Sequence, residues 1–311
     1  MAVRISEVGP ADLPRWVELH RAILPEPPSP LEPSYDVDAI AEYLLANPKQ
    51  QRWLAEVDGC PAGLARTSSS PNALARGGVY AIVGVAVEFR GRGLGTSLYR
   101  TVSEWAEQAG AAALVLQLFE SEERGLEWSA RRGFVEIARE LRLALELESA
   151  PVLPVEPPDG VELTTLAARP DLLRGVYEVA LEAEPDVPGT EAIELPPFEE
   201  WQRSEFGWAL KHPEAVFVAT TPAEVVGSAT LDLRDDGLAV HMGTSVRRSW
   251  RGRGLARALK ATQIAWAKEA GYARLETSND TRNSPILRLN EAFGYTELPS
   301  VLTLRGPLAP S

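Results

Sequence analysis

The feature that most constrains this chain is a repeat. The pentapeptide RGRGL occurs at residues 90–94 and again at 251–255, an offset of 161. The same offset relates Val85 to Val246, Trp105 and Ala106 to Trp266 and Ala267, and Gly110 to Gly271. It also relates Gly133 and Phe134 to Gly294 and Tyr295. Landmarks sharing one register over about 50 residues imply two copies of one domain. The length of 311 residues agrees, because globular domains run to roughly 150 residues each.

The expected boundary is also readable. Residues 149–160 read SAPVLPVEPPDG, rich in proline and closed by a glycine. That composition predicts a stiff, extended linker. The expected organisation is a first copy at residues 1–148, a linker at 149–160 and a second copy at 161–311.

Charge narrows the function classes. Lys plus Arg number 31 against 44 Asp plus Glu, a net charge of -13. The excess is shared, with 15 basic and 21 acidic residues in 1–150 and 16 and 23 in the remainder. Neither half has the basic surface that a nonspecific nucleic-acid or anionic-membrane binder needs. One cysteine, Cys60, and three scattered histidines, His20, His212 and His241, argue against a disulfide framework or an ordinary zinc site. No apolar run approaches the ~20 residues of a membrane span. The first residues, MAVRISEVGPADLPRW, lack the basic-then-apolar pattern of a secretory signal. The expectation is a cytoplasmic protein without metal, nucleic-acid or membrane partners, either monomer or homodimer.

Within each copy the pattern predicts a mixed α/β fold. A short strand is followed by an amphipathic helix at 12–20 and at 170–183. Next come Pro- and acid-rich stretches at 25–38 and 184–200, then strand pairs. Asp58 and Gly59 fit a tight turn in the first pair. A strand at 79–87, or 238–246, runs into RGRGL. A helix at 94–109, or 255–270, ends at Gly110 or Gly271, as a helix C-terminus favours. A strand (112–119; 273–278), a helix, GF or GY and a last strand (136–147; 298–304) complete each copy. So many strands before the first crossover helix exclude a doubly wound dinucleotide fold.

The strand–RGRGL–helix junction is where chemistry is expected. Glycine lets successive backbone N–H groups point the same way. A helix N-terminus adds unpaired N–H groups and partial positive charge. Together they suit a phosphate or diphosphate. Arg90, Arg92, Arg251 and Arg253 bring full charges to the same place. Other phosphate loops fit less well: there is no lysine for GxxxxGK[S/T], and Thr96 and Arg257 stand where GxGxxG needs its last glycine.

The pattern V-x-x-x-x-R-G-x-G-L-G/A, then a helix, a strand and a closing GF or GY, resembles the acetyl-CoA-binding core of the GNAT N-acetyltransferases. The family's pyrophosphate signature, Gln/Arg-x-x-Gly-x-Gly/Ala, is matched at Arg90, Gly93 and Gly95 and at Arg251, Gly254 and Ala256. The resemblance spans both halves. It implies tandem domains, each a mixed sheet splayed in its middle, with acetyl-CoA as cofactor. It further implies direct transfer of an acetyl group to the primary amine of a small molecule. By resemblance, the cofactor would touch Val85, Val87, Arg90, Gly91, Arg92, Gly93, Gly95 and Thr96 in copy one. In copy two it would touch Val246, Arg251, Gly252, Arg253, Gly254, Ala256, Asn279 and Asn283.

Thioester aminolysis needs a held carbonyl, a neutral amine and juxtaposed reactants. No covalent intermediate is required. Thr277 and Asn279 alternate along a strand and share a face. With Asn283 they form a polar cluster where copy one has Leu116, Leu118 and Glu122. Copy two is therefore expected to be the catalytic one, although Asn279, Asp280 or Asn283 also suits a simple helix cap. Glu276 and His241 are candidate bases; His241 also fits a structural role. The tyrosine that the family often carries four residues before the closing glycine is Asn290 here, and Ser129 in copy one. Asn290 can hydrogen-bond but is no acid, so solvent or another tyrosine would have to serve. Glu182 and Asp186 would suit a cationic acceptor, and Thr244 and Thr277 would line its site. The alternative reading is a non-catalytic CoA-binding or scaffold protein, supported by the missing tyrosines.

Overall fold

The computed structural model describes residues 2–24, 50–69, 78–150, 155–187, 194–234 and 237–310. The first Pro- and acid-rich stretch, part of the second and the middle of the linker lie outside these residues. Two compact units emerge. Unit 1 is Met1–Arg139 with Ser300–Ser311, and unit 2 is Glu140–Pro299.

Unit 1 contains strands β1 (Val3–Glu7), β2 (Gln50–Val57), β3 (Cys60–Ser68), β4 (Val79–Val85) and β5 (Ala113–Phe119). Its helices are α1 (Leu13–Ile23), α2 (Leu94–Gln108) and α3 (Glu123–Ala130). β2 and β3 form a hairpin whose turn residues, Asp58 and Gly59, have φ of 50° and 83°. Both positive values match the tight primed turn that Asp-Gly favours. The alternation of β2 divides the core. Trp53, Ala55 and Val57 pack with Leu98, Val102 and Ala106 of α2. Leu54 packs on the other face with Leu13, Trp16 and Val17 of α1. This is the period of two expected of a strand buried on both sides.

Unit 2 repeats the plan. It has β6 (Val135–Glu146, from Glu140 onward), β7 (Glu162–Thr165), β8 (Val216–Thr220), β9 (Val225–Leu233), β10 (Leu238–Val246) and β11 (Arg274–Asp280). Its helices are α4 (Leu173–Ala183), α5 (Phe198–Ser204), α6 (Leu255–Glu269) and α7 (Ser284–Ala292). Phe217 and Ala219 face Leu255, Leu259 and Ile264 of α6. Val216 and Val218 face Val176, Tyr177 and Val179 of α4. Each fully buried Leu here is worth about 1.5–3 kcal/mol.

The last strand, β12 (Thr296–Pro307), does not pair with β11. Its residues Val301–Pro307 run antiparallel to β5 of unit 1. Conversely, Glu140–Glu146 of β6 runs antiparallel to β11 in unit 2. The strand orders are therefore β1-β2-β3-β4-β5-β12 and β6-β11-β10-β9-β8-β7. Each copy of the repeat supplies the terminal strand of the other unit's sheet. No helix is long and apolar enough to cross a membrane among the described residues.

Candidate active site

Both sheets open in the same place. In unit 1 the parallel pairing of β4 with β5 covers Val79↔Leu114 and Tyr80↔Val115. Further on, β4 keeps only β3, and β5 keeps only β12. In unit 2 the pairing of β10 with β11 runs from Leu238↔Arg274 to His241↔Thr277, and then the strands part. A splay of this kind presents backbone N–H and C=O groups to whatever extended group enters it. Unit 2 adds a register shift between His241 and Gly243, at the point where the splay begins. The β3–β4 register of unit 1 runs through without one. A bulge re-aims the backbone locally. Thr244 lies just beyond it, half-buried opposite Ala229.

At the open end the two junctions are near-copies. A 3₁₀ turn, Val87–Phe89 or Arg248–Trp250, precedes the glycines. Gly91 and Gly93 have φ of 76° and 83°, and Gly252 and Gly254 have 73° and 86°. These left-handed values favour glycine. A Cβ added at any of the four would meet no atom within 4 Å, so the turn faces open space. Neither α2 nor α6 has a side-chain cap at its N-terminus. The first arginine of each loop folds back. Arg90 Nε donates to Val85 O at 2.9 Å, and Arg251 Nε to Val246 O at 3.1 Å. The second arginine lies over an aromatic ring of its own turn, Arg92 at 5.7 Å from Phe89 and Arg253 at 4.9 Å from Trp250. Val87 is exposed, and Val246 is buried in the core. Thr96 accepts a hydrogen bond from Arg132, whose guanidinium stacks 3.8 Å from Trp128.

The carboxylates read as facing a cationic acceptor lie beside the unit 2 loop. Asp186 accepts from Arg248 at 2.9 Å and from Arg251 at 2.7 Å. Those two guanidinium groups hold its carboxyl down at about 2. Glu182 accepts from the Arg248 backbone N–H at 2.6 Å and from Arg247 at 3.2 Å, and this lowers its pKa.

Beneath the splay of unit 2 lies a buried polar group. His241 Nδ1 meets Gln263 Oε1 at 3.0 Å, and its Nε2 meets Tyr295 Oη at 2.6 Å. With the amide oxygen facing the ring, Nδ1 carries the proton and Nε2 accepts from the tyrosine. Burial, aided by the Lys260 charge, pushes the His241 pKa well below its usual value, so the ring is neutral. Lys260, 2% exposed, places its Nζ 4.8 Å from the Tyr295 ring centroid. Burial brings its pKa down to about 7.

A second set continues the first across β11. Thr277 Oγ1 donates to Asn279 Oδ1 at 3.5 Å, and Asn290 Nδ2 donates to the same oxygen at 2.7 Å. Asn290 is fully buried, and its Oδ1 has no partner. Asn283 stands at the N-cap position of α7 but makes no side-chain cap bond. Glu276 points elsewhere, with one oxygen on Arg142 at 3.0 Å and the other on Arg274 at 2.7 Å.

Residues 15–134 and 174–295 each match the acetyltransferase (GNAT) family. The chain belongs to the GNAT family of acetyltransferases. Across 106 residues it is 32% identical to the aminoglycoside N(6')-acetyltransferase type 1 of Stenotrophomonas maltophilia, covering 31% of this chain and 69% of that protein. Among solved structures it is similar to a tandem GNAT protein from the clavulanic acid biosynthesis pathway, with TM-score 0.78, 18% identity and full coverage of both chains. It is also similar to a GCN5-related N-acetyltransferase of Sphaerobacter thermophilus, with TM-score 0.73, 23% identity and coverage of 99% and 96%. These likenesses bear on the fold.

GNAT acetyltransferases use acetyl-CoA, and the loops of this chain fit its diphosphate. Left-handed glycines, open space around them and uncapped helix N-termini leave room and backbone donors for an anion. Gly95 would bring an added Cβ to 3.6 Å from Val85, an ordinary contact, and Ala256 carries that methyl in unit 2.

Sequence reasoning grouped Thr277 and Asn279 with Asn283; the structure joins the first two to Asn290 instead. That reasoning missed Lys260 and Gln263, and noted Tyr295 only as part of the closing dipeptide. The signal was available in the repeat. The offset of 161 aligns Lys260, Gln263 and His241 with Tyr99, Val102 and Tyr80, so polar groups replace aromatic or apolar ones on matching faces.

Proposed function

We propose that this chain is an N-acetyltransferase that moves an acetyl group from acetyl-CoA directly to the primary amine of a small molecule, and that unit 2 is the site of transfer. The supporting observation is the buried polar set at the closed end of the unit 2 splay, where unit 1 has aromatic and aliphatic side chains. Bound acetyl-CoA supplies an activated acyl carbon. The chain supplies the rest. Gly252, Gly254 and the start of α6 hold the diphosphate, with Arg253 and Ala256 beside it. The open edge of β10, from the bulge to Val246, hydrogen-bonds the extended arm. A backbone N–H re-aimed by the bulge polarises the carbonyl. Thr244, Thr277 and the Asn279–Asn290 pair orient the reacting groups, and Asn283 borders them. The Leu255 and Leu259 side of α6 keeps bulk water out.

Glu276, tied to two guanidinium groups, anchors β11 in this reading. Neutral His241 orients Tyr295. Glu182 and Asp186 occupy the loop arginines. Unit 1 matches a second, non-catalytic reading: its loop holds CoA through Gly91, Gly93, Gly95 and Thr96 or simply completes the fold. The specific observation is that Leu116 and Leu118 stand where unit 2 has Thr277 and Asn279.

The test is thiol release from acetyl-CoA over a broad panel of small amines. Turnover by the wild type, lost in Gly254→Asp, is the expected result. Binding of acetyl-CoA without turnover on any amine favours the binding-protein reading, and no binding at all removes both.

A further inference from the structure

The two faces of the unit 2 sheet are filled unequally beside the splay. On the α6 face, Ala229 and Leu231 of β9 pack with Leu255 and Leu259. A Cβ added at Gly227 would meet both of those leucines at 3.3 Å, so that face is closed. Ser228 and Thr230 look the other way. They pair across to Val218 and Val216 of β8, which belong to the core under α4. On their other side they pair with Ser245 and Gly243 of β10. Directly opposed residues share a face, so Ser228, Thr230, Gly243 and Ser245 form one patch. Gly243 stands two residues past His241, where β10 leaves β11, about 7 Å along the strand.

This patch is open and its hydroxyls are unpaired. Gly243 is exposed, and a Cβ added there would meet no atom within 4 Å. Ser228 is 8% and Thr230 7% exposed, yet neither side chain, nor that of Ser245, makes a hydrogen bond among the described residues. Burying a hydroxyl without a partner costs free energy. Unit 1 avoids that cost. In matching register, Leu64 pairs with Gly84 and Arg66 with Ile82. Leu64 and Ile82 join the apolar cluster of α1, and a Cβ added at Gly84 would lie 2.8 Å from Ile23. The face that unit 1 seals with aliphatic side chains is, in unit 2, open and lined by hydroxyls. The charged groups beside it are already engaged. Asp232, two residues beyond Thr230, is paired with Arg234 at 2.7 Å, and His212 with Glu214 at 3.2 Å.

We propose that this patch is the acceptor site of unit 2, and that it takes a small polyhydroxylated primary amine of the amino-sugar class, whose hydroxyls bond Ser228, Thr230 and Ser245. The proposal rests on the acetyltransferase reading and adds the class of its acceptor. A sugar hydroxyl both donates and accepts, as the unpaired side chains require. An apolar amine would leave them unpaired, and a site built around hydroxyl partners discriminates against ligands that lack them. A polycation would need carboxylates that are not already in ion pairs. The absence of a side chain at Gly243 leaves the amine a way to the start of the splay.

The experiment compares glucosamine, cyclohexylamine and spermidine as acceptors for the full chain with acetyl-CoA. Glucosamine should have the highest kcat/KM, by at least about tenfold. Ser228→Ala/Thr230→Val should lower its kcat/KM about tenfold to a hundredfold and leave that of cyclohexylamine within about threefold. Because the lost hydroxyls have no partners, this variant should unfold at the same or higher urea concentration, so its loss is not one of folding. Gly243→Ile, which puts the unit 1 residue into the opening, should raise the glucosamine KM at least about tenfold. Turnover that favours cyclohexylamine or spermidine overturns the acceptor class alone. A glucosamine preference that survives Ser228→Ala/Thr230→Val overturns the site alone. If none of these or any other amine reacts, or calorimetry finds no acetyl-CoA bound to the wild type, the acetyltransferase reading falls and takes the proposal with it.

Discussion

The two units share a backbone plan and differ in what lies under the splay. Where unit 2 has Lys260, Gln263, His241 and Tyr295, unit 1 has Tyr99, Val102, Tyr80 and Phe134. Where unit 2 has Thr277, Asn279 and Asn290, unit 1 has Leu116, Leu118 and Ser129. Tyr99 sends its hydroxyl to Pro307 O at 2.7 Å and packs against Phe134 and Trp128. Unit 1 thus solves the same packing problem with rings. Unit 2 keeps buried amides and an amine, some of them without partners, in a fold that does not need them. Polar groups buried without partners cost free energy. Local rules broken in one copy and kept in the other point to function rather than to architecture.

The sharpest way to break this comparison is to give unit 2 an apolar residue at its costliest position. Lys260 has a folded-state pKa of about 7, against about 10.4 in an unfolded chain. Between these values the unfolded state binds more protons, so wild-type stability rises with pH through that window and is lowest below it. Lys260→Met should therefore be more stable than wild type near pH 7, by about 4 kcal/mol. The gain should shrink as pH approaches 10. Urea denaturation at several pH values checks this. A gain that does not depend on pH would mean that the amine is not held neutral.

The second contrast is between the loops. Gly254 and Gly93 have the same left-handed φ, 86° and 83°, and the same open surroundings. Aspartate at either position strains the backbone and sets a like charge where the diphosphate is expected. Gly254→Asp should weaken acetyl-CoA binding about a hundredfold or more, equivalent to about 2.7 kcal/mol, and abolish turnover. Gly93→Asp should leave turnover largely intact. If instead Gly93→Asp is the variant that loses turnover, unit 1 is the working site.

How much of this was readable in the sequence differs from element to element. The loops were, because their left-handed φ values favour glycine and the repeat displays those glycines twice. The strands leading into them, β4 and β10, fall within two residues of their expected ends, since alternation and the glycines bound them on both sides. The exchange of terminal strands was not. β6 and β12 read as ordinary last strands, and nothing local in 135–146 or 296–307 says which distant strand each will pair with. Lys260 was hidden for a different reason. A lysine in a helix reads as solvent-facing, and only the stripe it shares with Gln263 and Ala267 places it inward. Glu182 and Asp186 read as free acids because their arginine partners are more than 60 residues away.

A milder transplant tests the polar set. Asn279→Leu restores the residue that unit 1 has as Leu118, and leaves the buried Asn290 Nδ2 without its acceptor at 2.7 Å. Orphaning a buried donor costs about 1–3 kcal/mol. The variant should unfold at correspondingly lower urea, and the double variant Asn279→Leu/Asn290→Ser, closer to unit 1, should recover part of the loss. No recovery would mean that the cost comes from shape and not from the amide pair.

The smallest effect concerns the acid seated at the unit 2 loop. Asp186 bridges Arg248 and Arg251, with its carboxyl held at about 2. It is therefore ionised throughout the neutral range. What it adds to stability is present above the unfolded value of about 3.9 and is lost only as pH falls toward its folded value. At neutral pH its main consequence should be competition, because Arg251 shared with a carboxylate is less available to a diphosphate. Asp186→Asn should tighten acetyl-CoA binding about two- to fivefold at low salt. Added salt should erase the difference, because these groups are exposed and screened. Calorimetry at two salt concentrations reads it. Weaker binding in the variant would reverse the assignment, making Asp186 the residue that holds the arginines ready for the cofactor rather than the one that competes with it.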